Sequence, residues 1–188
     1  MAAGWGNFYH KGNVREEELK KSCEILGIPG NNCFVVKNSS LQDDPTIIWD
    51  KKLCGKVILD YIHEIKPDTI LTFDSYGVSG HKNHRSLYFA LQYLISDGRL
   101  PEGVDVFCLD SISLPRQYFT LFVLDLPVSL MTSDLIVVSP WRDFLKGQHA
   151  CLAHWSQMEW FRILHLTFSR YMVVNSYQRI STVSSPVT

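Results

Sequence analysis

The sequence predicts an α/β protein: a mostly parallel sheet with helices covering both faces. Three observations carry that prediction. Short apolar runs of strand type alternate with longer runs of helical period. One of them, TILTF (Thr69 to Phe73), is a short apolar run of the kind buried in parallel sheets. The third is size: 188 residues, 46% hydrophobic and 20% charged, suffice for one compact core. The expected organisation is a single domain over residues 1–175 and a disordered tail over 176–188.

The elements follow in order. Asn13 with Glu16 three residues on is a capping-box start, and REEELKKSCEILGI then places Leu19, Cys23 and Leu26 on one helical face before Gly27 ends it. CFVV (Cys33 to Val36) is a short strand, followed by a polar loop to Pro45. A helix is expected from Asp50 to Ile65 with Leu53, Val57, Ile58, Tyr61 and Ile65 on one side. Pro67 and Asp68 break it, and TILTF (Thr69 to Phe73) is the next strand. A helix from His84 to Asp97 leads to a strand at Asp105 to Ile112. The segment after it is apolar but interrupted by Pro115 and Pro127; LIVVS (Leu135 to Ser139) is a further strand, and one long helix is expected from Pro140 to Phe168. From Ser176 the chain is rich in Ser, Thr and Val without periodicity, hence the predicted tail.

Composition excludes several roles. A formal charge of -1, with Lys and Arg scattered, gives no basic field for nucleic acid. The five cysteines form no C-x-x-C pair and mostly sit in apolar runs, as core thiols of a reducing compartment do. No window is apolar enough over 18 to 20 residues to span a membrane, and the first twelve residues lack a secretory leader's pattern.

The stretch FDSYGVSGHKNHRSLYFAL, Phe73 to Leu91, is where chemistry concentrates. Ligands of α/β sheets bind beyond the carboxyl ends of the strands, and Asp74 and the His81/His84 loop fall there. Gly77 and Gly80 permit tight turns, and His81 with His84 at i, i+3 can project toward one point. That suits a metal ligand beside an acid/base group, with Asp74 able to orient a histidine. Two solvated histidines at a helix start remain the alternative.

TFDSYGVSGHKNHRSLY resembles a block of the N-acetylglucosaminyl-phosphatidylinositol de-N-acetylase family (PIG-L, within the wider LmbE-like deacetylases), whose pattern reads T-F-D-x-x-G-V-S-G-H-x-N-H-x-x-x-Y. GNFYHKGNVREEELKKSCEILGIP resembles its G-N-x-x-x-x-G-x-x-R-x-x-E-L region, and QDDPTIIWD its D-D-P-x-x-x-W-D loop. HWSQMEWFRILHLTFSRYMVVNSY is similar to the family's C-terminal block, so four blocks occur in order.

The resemblance implies a Rossmann-like fold and a hydrolase that removes the acetyl group from N-acetylglucosaminyl-phosphatidylinositol in glycosylphosphatidylinositol-anchor biosynthesis, using a divalent metal, typically zinc, to activate water. It implies His84 as a metal ligand and His81 as the histidine that stabilises the oxyanion and assists proton transfer. Arg15, and Asn7 in the same block, match substrate-binding positions; a guanidinium at a helix start suits a phosphate, and a solvated charge is the other reading of Arg15. The implied partner is the glycolipid substrate, with peripheral membrane contact. The implied location is the cytoplasmic face of the endoplasmic reticulum membrane, or the cytosol for a chain without a span.

One block is missing. The family's His-Pro-x-Asp-Asp sequence, which supplies two further metal ligands and the general base, has no counterpart, and Asp43-Asp44 belongs to the later D-D-P loop. An N-terminally shortened form, lacking the first strand and helix, is therefore expected, with an exposed sheet edge and weak or absent deacetylase activity. A non-catalytic fragment or binding protein of the same fold is the alternative. His154, Ser156 and Gln157 are expected to satisfy one another or to approach the site, and Trp155, Trp160 and Phe161 to lie in the core, while aromatics of LHLTFSRYM can touch lipid.

Overall fold

A computed structural model describes residues 2–3, 12–44, 47–118 and 122–181. Along them run β1 (Ala2–Ala3), α1 (Gly12–Leu26), β2 (Val35–Val36), α2 (Lys51–Ile65), β3 (Thr69–Phe73), α3 (Gly77–Gly80), α4 (Lys82–Ser96), β4 (Asp105–Leu109), α5 (Leu114–Tyr118), α6 (Phe122–Thr132), β5 (Leu135–Val138), α7 (Trp141–Leu152), α8 (Trp160–Phe168) and β6 (Val174–Arg179). Contacts group them into two compact units: residues 1–44, 113–128 and 137–175, and residues 45–112, 129–136 and 176–188.

The second unit holds the strand and loop of interest. Asp50 opens α2 by accepting hydrogen bonds from the N–H groups of Lys52 and Leu53 through Oδ1, at 3.0 and 2.8 Å. The helix closes on Lys66 in the left-handed conformation, φ 52°. The stripe that α2 buries is Cys54, Ile58, Leu59 and Ile62 rather than the side ending at Ile65, which is 48% exposed. It packs on α4, whose Ala90, Leu91 and Leu94 are buried. Gly55 allows the close approach: a Cβ there would already touch Leu94 Cδ2 at 3.4 Å.

β3 pairs in parallel with β4, Thr69 opposite Asp105 through Phe73 opposite Leu109. The four-stranded sheet has the order β3-β4-β6-β5, and β6 runs antiparallel to β4, so the α/β expectation holds with a mixed rather than mostly parallel sheet. Among the described residues β3 is an edge strand of this sheet, with Leu71 54% exposed.

β6 also corrects the tail. Residues 176–179, expected to be disordered, pair with β4, Cys108 opposite Gln178 and Leu109 opposite Tyr177. Val174 and Ser176 are buried while Asn175 and Tyr177 are half-buried, a period of two too short to stand out in a polar composition. Residues 182–188 lie outside the described residues.

In the first unit α1 packs against α7, and β1 pairs in parallel with β2. The face of α1 is offset from the expected one: Ser22 is buried and Leu26 is 42% exposed. The long helix expected over 140–168 is two helices, α7 and α8, separated by a 3-10 turn at Trp155–Gln157. The physical cause is Glu18 on α1. Its Oε1 accepts the Ser156 N–H at 2.7 Å and its Oε2 the Ser156 hydroxyl at 2.7 Å, so that N–H is lost to the helical ladder. Glu159 then runs extended, φ -116° and ψ 156°, before α8 begins.

Candidate functional site

The loop between β3 and α4 is built around Asp74. Its Oδ1 accepts hydrogen bonds from the N–H groups of Tyr76 (3.1 Å) and Gly77 (2.8 Å), closing the turn that leaves the strand. Ser111, two residues beyond β4, donates its hydroxyl to Oδ1 at 2.7 Å and its N–H to Oδ2 at 2.7 Å. The same hydroxyl oxygen accepts the Val78 N–H at 2.8 Å. Asp74 and Ser111 thus clamp the loop to the neighbouring strand. These partners take up the Asp74 carboxylate, and neither histidine is among them, so the structure gives Asp74 a positioning place rather than a bond to the imidazoles.

The backbone that follows is unusual. Gly77, Val78 and Gly80 all have positive φ, at 73°, 67° and 76°. Two of these suit glycine; a β-branched valine there is a strained residue, which persists only where its surroundings over-determine it. The Val78 N–H bond to Ser111 is part of that constraint. Gly77 is required for space as well as for φ, because a Cβ on it would lie 2.9 Å from His84 Cβ and 3.2 Å from the Arg85 nitrogen.

That close approach sets the histidines. His84 Nδ1 lies 3.2 Å from the Gly77 carbonyl oxygen. A carbonyl only accepts, so Nδ1 is the donor in this contact; in the neutral ring that leaves the lone pair on Nε2, the form in which imidazole binds a metal or accepts a proton. The ring stacks on Phe73, the last residue of β3, with centroids 4.0 Å apart and planes 6° apart. His81 packs beside it at 4.8 Å between centroids. His81 Nδ1 is buried and makes no hydrogen bond. Arg85 Nε donates to the Ser75 carbonyl at 2.9 Å and ties α4 back to the turn.

Of the residues picked from sequence, His81, His84 and Asp74 therefore share one loop. Arg15 lies on α1 in the other unit, where Nη1 pairs with Asp43 at 2.8 Å. Asn7 lies outside the described residues. Among the described residues no three or more His, Cys, Asp and Glu side chains group so as to hold a metal ion. Those residues do not fit a zinc centre by themselves.

Sequence reasoning missed Ser111 and Glu18. The parallel register carries a signal for the first: Phe73 faces Leu109, which brings residues 110–111 beside residues 74–75. Glu18 carries none, since its partners are far along the chain. Burial pulls the Glu18 pKa up, but the Ser156 and Gln157 hydrogen bonds outweigh it and hold the carboxyl below its usual range. His154, whose Nδ1 lies 3.4 Å from Gln157 Nε2, is pushed down by burial against the opposing pull of Glu18. Trp155 and Trp160 are not core residues, being 72% and 75% exposed, and Phe161 is 49% exposed. Cys54 and Cys108 are buried thiols pushed up to about 12 and about 11, chiefly by burial, which marks them as unreactive.

A strand end, a glycine-bearing strained turn and two neighbouring histidines at a helix start make this an α/β protein with a built histidine loop beyond the carboxyl end of a strand, where ligands of α/β sheets bind. Residues 2–94 match the family described as GlcNAc-PI de-N-acetylase. The chain is 41% identical over 172 residues to N-acetylglucosaminyl-phosphatidylinositol de-N-acetylase of Bos taurus, covering 91% of this chain and 67% of that protein. It is 32% identical to the probable enzyme of the same name from Schizosaccharomyces pombe, with 93% and 71% covered. With the probable Dictyostelium discoideum enzyme the identity is 28%, with 91% and 77% covered. The chain belongs to the GlcNAc-PI de-N-acetylase family, a family of deacetylases.

Proposed function

We propose that the His81/His84 loop serves hydrolysis of the acetamide of N-acetylglucosaminyl-phosphatidylinositol, a glycolipid, releasing acetate and leaving the free amine. The observation that carries this reading is the histidine pair itself: His84 fixed by Gly77 and Phe73, and His81 beside it with a buried nitrogen that has no partner. Leaving such a nitrogen unpaired is costly, and a polar group of a bound ligand would relieve that cost. An imidazole so placed can donate to an amide oxygen as negative charge develops, or return a proton to the departing nitrogen.

Zinc remains the cofactor proposed from the family resemblance, with His84 the ligand this chain offers. Because the described residues do not complete its coordination, the steps assigned to the histidines do not pass through it. Arg15 and Asn7 are proposed as contacts for the substrate's phosphate and sugar. For Arg15 that requires exchange with Asp43, its present partner. A lipid-linked substrate supports work at the cytoplasmic face of the endoplasmic reticulum membrane through peripheral contact; among the described residues no helix is long and apolar enough to span a bilayer.

We further propose that this chain alone turns over weakly or not at all. A second reading, a binding protein of the same fold, is favoured by the same lack of a metal-ligand group among the described residues. Acetate release is to be followed for this chain beside one extended with a His-Pro-x-Asp-Asp block, with zinc titrated into both. Turnover only in the extended chain supports the deacetylase reading. Turnover in neither supports the binding protein, and turnover of the present chain that His84→Ala abolishes contradicts the proposed inactivity.

A further inference from the structure

α8 has the sequence WFRILHLTF, and its own unit does not account for its exposure. Trp160 is 75% exposed, Phe168 62%, Ile163 52% and Phe161 49%, while Leu166 alone among its apolar residues is buried. Trp155, on the turn before it, is 72% exposed. Helices of soluble proteins put such residues inward, and a contiguous apolar patch on the outside marks a docking surface.

The charge on the helix selects the partner. Between its ends α8 has one permanent cation, Arg162, and no carboxylate, Glu159 standing at its N-cap. The Arg162 guanidinium sits 6.0 Å from the centroid of the Phe161 ring, so the cation lies within the aromatic patch rather than away from it. Arg162 also lines a cavity of about 360 Å³ with His154, Gln157 and His165. Exposed tryptophan and phenylalanine beside a cation is the composition of a helix lying in the headgroup layer of a bilayer, where the rings enter the acyl boundary and the cation meets anionic headgroups.

We propose that α8, with Trp155, is the element by which this chain docks on an anionic lipid surface. The inference rests on the proposed function in one respect, that the substrate is lipid-linked, and it specifies which part of the chain meets the lipid. Phosphatidylinositol, itself anionic, is the natural headgroup to test.

The test is sedimentation of the chain with vesicles of phosphatidylcholine containing phosphatidylinositol, and with phosphatidylcholine alone. It needs no turnover, so docking and deacetylation can fail separately. Trp160→Ser, Phe161→Ser and Phe168→Ser combined are expected to lower the partition coefficient by more than about tenfold, roughly the effect of one well-buried aromatic. Met131→Ser, at an 87% exposed position in the other unit, is expected to leave it unchanged. Arg162→Glu keeps the apolar surface, and its expected effect is loss of the preference for phosphatidylinositol. Circular dichroism checks that each variant folds. The proposal is overturned if the chain does not sediment with either vesicle or if the triple variant sediments like the parent. It is also overturned if the patch instead joins two copies of the chain, seen as a dimer by light scattering that the triple variant abolishes without any vesicle binding.

Discussion

At the scale of single residues, the site depends on groups that never touch a substrate in this account. Asp74 and Ser111 fix the turn, and Gly77 makes room for His84. Gly77→Ala combines a positive φ with a 2.9 Å approach to His84 Cβ, and is expected to cost about 1–3 kcal/mol in urea unfolding. Gly98→Ala, also at positive φ but with no atom within 4 Å of the added Cβ, is the control and is expected to cost less. Asp74→Ala leaves the N–H groups of Tyr76 and Ser111 without their side-chain acceptor and Gly77 with only its longer bond to the residue-74 carbonyl, at 3.2 Å. Its expected cost is about 2–4 kcal/mol by the same measurement, with Ser111→Ala about half of that. The histidines were legible from their spacing and glycine flanks. Ser111 was not, because a serine gains meaning only from the register that sets it beside Asp74.

Elements were legible where local pattern and tertiary demand agree. β3 has the bounds expected of TILTF, and α2 begins on the residue after its Asp50 cap. Two of the failures share one cause, a distant partner that outweighs local preference. Glu18 on α1 takes the Ser156 N–H and divides the expected helix into α7 and α8. β4 draws residues 176–179 into the sheet. The α2–α4 contact is expected to dominate the second unit: Leu94 is fully buried, and Leu94→Ala should cost about 2–5 kcal/mol by chemical denaturation.

The α7–α8 connection also carries a pH dependence. His154 and His165 are both pushed down by burial, so in the range below the ordinary histidine pKa the unfolded chain binds more protons than the folded one. Stability present above about pH 6.5 is therefore expected to fall as pH drops through the lowered folded values. Glu18, held below its usual range, adds a further loss where carboxylates titrate. Urea midpoints between pH 8 and pH 4 check this, and His165→Gln is expected to flatten the upper part of the profile.

At the scale of the molecule, four sequence blocks in order sufficed to identify the family, and the match over residues 2–94 with 41% identity to the bovine relative agrees. The α/β class was also legible, because alternation of apolar runs survives errors in any one element. The mixed direction of the sheet was not, since strand direction is set by how the chain returns after α8 rather than by the composition of β6.

The central claim is that this loop carries deacetylation chemistry through its paired histidines. It is tested most directly by acetate release from N-acetylglucosaminyl-phosphatidylinositol by the chain extended with a His-Pro-x-Asp-Asp block, compared with the same protein carrying His81→Ala or His84→Gln. Losses of at least about a hundredfold in kcat for His81→Ala, and more for His84→Gln, with unfolding midpoints little changed, are the predicted result. Turnover unaffected by either substitution would contradict it and leave the histidines as structural residues of a strained turn.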